Sequence, residues 1–439
     1  FLLMNKGLKL WNEALKVIPG GNGLLSKRPE RFLPDNWPTY FEYAKGCEIT
    51  TLDKKKYFDM TQMGVGSCIF GYNYKPLNDA VINSIKKSIN TTLNCPEEVE
   101  LAKILIKNNK FAGSVKFART GGEAMNIAVR IARAASGKTQ VAFSGYHGWN
   151  DWYLSSNISN KNALDKQLLP GLNTSGVPDQ LKGTSIPFIY NSINSFEKVI
   201  KNNDIGVICI EGARNDLPTK DFISSIMKYA KKNNIIIICD EITSGWRMTN
   251  GGSYKISGLK PDIAVYGKGM GGGFAISAVV GKKEIMNFAK ETFISSSMWT
   301  ERIGFVAAIN AIKIFQKKKL WININQIGLK VKKNWIRIAT KHKVKIDVSN
   351  VNALISFKFL YDDKNLLIET IFISKMLEEG FLASTSVYPC MAHTDKILKK
   401  YFKALEKTFR FISEVINYKK FDDYKNLKLR SDAFQRLNK

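Results

Sequence analysis

Ile235-Ile236-Ile237-Ile238-Cys239-Asp240-Glu241-Ile242 decides the fold. Five consecutive apolar residues are too few for a buried helix and suit a strand covered on both faces. Strands of that kind belong to parallel sheets with helices on each side. The run stops at Asp240, and a carboxylate at the mouth of an apolar strand is costly without a cationic partner. The same punctuation recurs nearby. Gly206 to Ile210 is an apolar strand that stops at Glu211, and Ile263 to Tyr266 is one that stops before Gly267-Lys268-Gly269.

Outward from this centre, strands alternate with amphipathic helices. Ser114 to Arg119, Gln140 to Ser144 and Ile276 to Val280 read as further strands. A helix after Gly121-Gly122 places Ala124, Ile127, Ala128, Ile131 and Ala132 on one face. Another over Asp221 to Lys232 does so with Phe222, Ile223, Ile226 and Ala230. The fold class is α/β, with a mostly parallel sheet covered on both faces in a large domain. Residues 40 to 60 alternate like a small meander. Lys343 to Val348 and Ala353 to Phe359 are strand candidates, and a last long helix starts near Thr394. The two ends are expected to form a smaller α+β domain. The boundaries are 1–70 for its N-terminal segment, 71–320 for the large domain, and 321–439 for its C-terminal part with a loosely packed basic tail from Tyr418.

Composition narrows the function classes. The chain has 439 residues, 44% hydrophobic and 24% charged, which fits a globular enzyme of more than one structural region. No apolar stretch reaches the length of a membrane span. Phe1-Leu2-Leu3-Met4 is no signal peptide and reads as a fragment or an extension ahead of a start at Met4. Six cysteines without a Cys-x-x-Cys pair suit a reducing cytoplasm. Three unclustered histidines give no metal site. The net charge of +28 comes from lysines dispersed among Asn and Ile, and is read as solvated faces rather than a specific nucleic-acid surface. A basic nucleic-acid-binding protein is the alternative from another class, and it requires salt-sensitive affinity.

The polar residues stand where ligands of open α/β sheets bind, beyond the carboxyl ends of strands. Gly121-Gly122 opens a helix whose N-terminus suits a phosphate. Asp240 suits a protonated ring nitrogen. Lys268, among glycines, has room for a ligand to reach its amine, and burial there would favour the nucleophilic form; the alternative is a solvated loop lysine.

With these residues in this order, the sequence resembles the class III (fold-type I) family of aminotransferases that depend on pyridoxal 5'-phosphate. The nearest branch holds glutamate-1-semialdehyde aminomutase and relatives from surface-polysaccharide clusters. The resemblance runs from about Ile18 to His393. It is carried by Pro19-Gly20-Gly21, Ala44-Lys45-Gly46, Gly121-Gly122-Glu123-Ala124, Tyr146-His147-Gly148, Asp240-Glu241-Ile242, Gly267-Lys268 and Ala392-His393-Thr394-Asp395. It implies a fold-type I transferase with a mostly parallel seven-stranded sheet, and that Lys268 is the Schiff-base lysine and general acid/base. Asp240 would pair with the pyridine nitrogen, Ile242 would pack on the ring and Tyr146 would stack on it. Gly121 and Gly122 would hold the phosphate, with Ser297 (by register) or Thr300 (by residue type) from the other subunit of a homodimer. Glu211 and His147 are read as further cofactor contacts. The alternatives are a structural carboxylate for Glu211 and a turn-holding role for His147.

The chain also departs from the family. Glu211-Gly212 replaces Glu-Pro. Arg214-Asn215-Asp216 stands where many members carry a second glutamate. Ser295 to Arg302 replaces a Ser-Thr-x-Gly-Asn-Pro run. The implied reaction is amino transfer from a small-molecule donor to a keto or aldehyde acceptor, sugar-like in one reading, with an intramolecular aminomutase as the alternative. Trp246 and Trp299 are candidates for a substrate pocket or for core packing. Arg247 is a candidate for a substrate anion or a surface ion pair, and Arg28 and Arg31 for substrate contacts.

Overall fold

The computed structural model describes residues 6–167 and 169–432. Phe1 to Met4 and the last residues of the tail lie outside the described residues. The chain divides into two compact units. One is Lys75–Ile322, and the other joins the described residues up to Tyr74 with those from Asn323.

The strands in chain order are β1 (Phe41–Lys45), β2 (Glu48–Thr51), β3 (Lys56–Met60), β4 (Ser114–Ala118), β5 (Gln140–Ser144), β6 (Ser185–Pro187) and β7 (Ile205–Glu211). They continue as β8 (Ile236–Asp240), β9 (Ile263–Tyr266), β10 (Ser277–Gly281), β11 (Ile346–Val348), β12 (Ile355–Phe359), β13 (Phe381–Ala383) and β14 (Ser386–Val387).

In the first unit, seven strands run in the order β4-β10-β9-β8-β7-β5-β6. Only β10 is antiparallel to its neighbours. Every residue of β7, β8 and β9 is buried, as their unbroken apolar runs require. One face packs on helix α1 (Gly121–Ser136) through Ala124, Ile127, Ala128, Ile131 and Ala132. The other packs on helix α2 (Lys220–Asn233) through Phe222, Ile223 and Ile226. Register fixes the working edge: Glu211 stands opposite Asp240, and Asp240 opposite Val265.

The second unit holds a sheet ordered β1-β2-β3-β13, in which β13 joins β3 in parallel, and a second sheet ordered β11-β12-β14. Its core gathers Trp335, Phe357, Phe372, Tyr401 and Phe409. The segment after Tyr418 is better packed than expected. It forms a short turn over Lys420–Tyr424, Lys428 pairs with Asp35 at 2.9 Å, and Arg430 pairs with Glu369. The loss of chain entropy is offset chiefly by Phe421, Tyr424 and Leu427 against the core and by the part-buried Arg430–Glu369 pair.

Candidate active site

Three adjacent strands deliver Glu211, Asp240 and Lys268 to one edge. Lys268 opens a tight turn over Lys268–Gly271 and has φ +44°. A left-handed backbone costs a side-chain-bearing residue about 1–2 kcal/mol. Such strain persists only where the surroundings over-determine it, and it concentrates at functional sites. The amine donates to Thr243 Oγ1 at 3.0 Å. Burial, then the Arg214 charge, push its pKa down to about 8 against the pull of Asp240 and Glu211, with Arg247 adding to the fall.

Asp240 is buried and both of its oxygens are held. Oδ1 accepts from the Ile242 amide at 3.0 Å, and Oδ2 lies 2.8 Å from His147 Nδ1. The His147 Nε2 lies 3.2 Å from the Ser144 carbonyl at the end of β5. Burial alone favours a neutral ring, but Cys209 and Asp240 outweigh it and hold His147 well above its usual pKa. His147 therefore meets the site through Asp240.

Glu211 is buried and accepts from Arg214 Nε at 2.9 and 3.0 Å and from Arg214 Nη2. Gly145 makes room for it. Its φ is +114°, and a Cβ there would stand 2.5 Å from Glu211 Cγ. Tyr146 follows, edge-on to Tyr153 at 5.7 Å, with its hydroxyl pKa raised by burial.

Helix α1 starts from Thr120, whose side chain caps the Glu123 amide while the Glu123 carboxylate returns to the Thr120 amide. This capping box leaves the first turn's other N–H groups at the positive end of the helix. A Cβ on Gly121 would stand 2.8 Å from Ile242 Cδ1, and one on Gly267 3.5 Å from Ile242 Cγ2. Ile242 thus bridges the start of α1 and the Lys268 turn.

The structure therefore brings together Lys268, Asp240, Ile242, Glu211, His147, Tyr146, Gly121 and Gly122. It does not bring Ser297 or Thr300 to them within the chain. Both are exposed on the turn Ser297–Thr300, where Thr300 Oγ1 donates to the Ser297 carbonyl at 3.4 Å. That turn is tied to the start of α1, since Trp299 Nε1 donates to Glu123 Oε1 at 3.2 Å and Arg119 Nε to the Met298 carbonyl at 2.6 Å.

Trp246 belongs to the core. It is buried against Tyr266 and Phe315. Arg247 is 1% exposed and so is no surface residue. Arg31 is engaged by the tail, donating to the Ser431 carbonyl at 2.9 Å. Thr243, Ser144 and Cys209 are site neighbours that sequence reasoning passed over. Thr243 alone carried a signal, three residues after Asp240. Among the described residues no cluster of His, Cys, Asp and Glu could hold a metal ion, and no helix is long and apolar enough to cross a membrane.

A lysine in a strained turn, an acid on the next strand and a glycine-started helix, at the carboxyl edge of a seven-stranded sheet, define a fold-type I transferase. The chain belongs to the class-III aminotransferase family, whose model matches residues 34–409. That family consists of pyridoxal-phosphate-dependent transaminases and aminomutases, and the chain is one of them. It is 28% identical to a 3-aminobutyryl-CoA aminotransferase of Cloacimonas acidaminovorans, over 94% of this chain and 99% of that protein. It is 30% identical to a glutamate-1-semialdehyde 2,1-aminomutase of Campylobacter hominis, over 92% of this chain and 94% of that protein. An omega-transaminase from Sphaerobacter thermophilus shares the fold, with a TM-score of 0.83 and 19% identity over 93% of this chain and 98% of that chain.

Proposed function

We propose that the chain transfers an amino group from a small-molecule donor to a carbonyl acceptor, with Lys268 as the covalent and proton-moving residue. The observation that carries this reading is the meeting of Lys268, Asp240 and Glu211 at adjacent strand ends, with the amine pushed down to about 8. Pyridoxal phosphate, when bound, supplies an aldehyde that condenses with amines and a ring that takes up electrons released at the nitrogen-bearing carbon.

The residues present fit that group. Asp240 is a buried carboxylate fixed by two partners, and it would hold a proton on the ring nitrogen. Gly121 and Gly122 offer backbone N–H groups at the start of α1 to the phosphate, where a Cβ on Gly121 would strike Ile242. Ile242 and Tyr146 supply apolar and aromatic faces for the ring. With its pKa brought down to about 8, Lys268 Nζ takes a proton from the substrate carbon and returns it to a second carbon, as a general base and then acid. Glu211 holds Arg214 at the mouth of the site. Ser297 or Thr300 completes the phosphate site across a homodimer, which their exposure in the single chain supports. The acceptor is a keto acid, an aldehyde or a sugar-like carbonyl compound. All six thiols are free, which supports work in a reducing cytoplasm.

The test is a visible spectrum of the purified protein before and after borohydride reduction, with mass mapping of the modified peptide. The cofactor mass is expected on the peptide that contains Lys268. Its absence, or its presence elsewhere, ends the assignment. The likeness to the Campylobacter aminomutase supports a second reading, intramolecular transfer. A mutase turns over with a single amino-carbonyl substrate. A transaminase stops after one half-reaction until an acceptor is added.

A further inference from the structure

Gly122, in the first turn of α1, is met from outside by the segment that follows Tyr146. Gly148 has φ +105°, and a Cβ there would stand 3.1 Å from Gly122 Cα. Asn150 Nδ2 donates to the Gly122 carbonyl at 2.6 Å. Asn150 precedes the short helix Asp151–Leu154, where an asparagine side chain commonly caps. Here it makes no cap and is spent on Gly122 instead. Residues 148–150 are thus pinned to the start of α1 at both ends.

Trp149 lies between the two pins. A Cβ on Gly122 would stand 3.2 Å from Trp149 Nε1 and 3.3 Å from its Cδ1. The N–H edge of the indole, not its benzene edge, therefore faces the first turn. The backbone of Gly122 is ordinary helix, with no left-handed angle that calls for glycine. The missing side chain is what lets the indole edge come in. Trp149 is 70% exposed, and its N–H has no hydrogen-bond partner among the described residues. The other tryptophan at this turn, Trp299, spends its N–H on Glu123 Oε1 at 3.2 Å. Glu123 Oε2 accepts from the Arg119 and Thr120 amides, so the carboxylate of the turn is engaged elsewhere. An indole N–H can only donate. Beside it the first amides of α1 have no partner within the helix and mark its positive end. Donors gathered this way suit an anion with several oxygens.

We infer that Trp149 is a cofactor-binding residue, its indole N–H acting with the Gly121 and Gly122 amides as a donor to the phosphate of pyridoxal phosphate. The inference rests on the reading of the α1 start as the phosphate seat. Trp149 supplies a directional donor where Gly122 brings no side chain, and a bond from it to an ionised oxygen belongs to the stronger class.

Trp149→Phe keeps an apolar ring and removes the N–H. The full chain, freed of cofactor, is titrated with pyridoxal 5'-phosphate and separately with pyridoxal, which has the same aldehyde and ring without the phosphate. Binding is read from the visible band formed at Lys268. Trp149→Phe is expected to weaken pyridoxal 5'-phosphate by about 10-fold or more, the worth of a hydrogen bond to a charged group, and to leave pyridoxal unchanged. An unchanged affinity for pyridoxal 5'-phosphate overturns the inference. So does an equal loss for both ligands, which makes Trp149 a contact of the ring or of the fold. Sedimentation of the two loaded proteins is expected to show one and the same assembly. A lost assembly in Trp149→Phe also overturns the inference, because the exposed indole is then a subunit contact. Failure of the underlying reading shows in the unsubstituted chain, as a missing borohydride label at Lys268 or as equal affinity for the two ligands.

Discussion

His147 and His393 are each 1% exposed and each bonded on both ring nitrogens, yet they sit in opposite surroundings. His393, in the turn before the last helix Asp395–Asn417, has an amide donor on one side and a carbonyl acceptor on the other. His147, at the edge of the large sheet, has the Ser144 carbonyl on one side and the Asp240 carboxylate on the other, with Cys209 beside it. One histidine ties the turn before the last helix to the Asp59 carbonyl. The other stands against Asp240 and the end of β5. Burial and residue type are the same, so the partners on each nitrogen decide which role a histidine has.

The contrast can be broken in several places. Lys268→Ala, at the strained edge, should lower amino transfer by about 10³-fold or more, since it removes the proton-moving group, while far-UV dichroism and a cooperative melt show the fold retained. Steady-state kinetics beside a thermal melt checks both. Asp240→Asn should cost about 10²–10³-fold in kcat, the usual penalty for losing one preorganised electrostatic group. If it leaves kcat unchanged, the edge is no more than a structural network.

His393→Gln should do the converse. It leaves the Asp59 carbonyl and the Cys390 amide poorly matched and should cost about 1–3 kcal/mol of stability, read by denaturant titration, with kcat per folded molecule retained.

The pH dependence of stability separates the regions further. The Lys268 amine falls from its usual 10.5 to about 8 on folding. Between those values the unfolded chain binds more protons than the folded one, so stability should rise with pH across that window. Below about 8 both states are charged and the burial cost is fully felt. Lys268→Met should flatten the rise in the cofactor-free protein, measured by denaturant midpoints against pH. The smallest effect is expected from Thr120→Ala, which removes the cap of α1 and should cost about 1 kcal/mol in melting experiments.

What was legible in the sequence follows from distance along the chain. The apolar runs before Glu211, Asp240 and Lys268 announce buried parallel strands, and a charged residue at the end of such a run can only face the edge. Gly121-Gly122 was readable because a helix start is a local signal. β6 was not readable, since Ser185–Pro187 is too short to show a period. The contact of His147 with Asp240 was not readable either, because 93 residues separate them and no local pattern encodes it. Trp246 was open to a pocket or a core reading, and its packing against Phe315 and Tyr266 bears out the core one. The tail misled because its partners, Asp35 and Glu369, lie far back in the chain, and a lysine-rich segment with remote partners looks solvated.

The sheet of the second unit has a consequence for synthesis. β3 is made early, and its outer neighbour β13 follows roughly three hundred residues later, which at about 5–20 residues per second leaves that edge waiting for tens of seconds. An unpaired edge is a template for any passing strand. The Arg31 and Glu30 contacts to Ser431 wait longer still. The N-terminal meander is thus a seam that the nascent chain can close only from its far end, and the middle of the protein has time to fold around its own sheet before that happens.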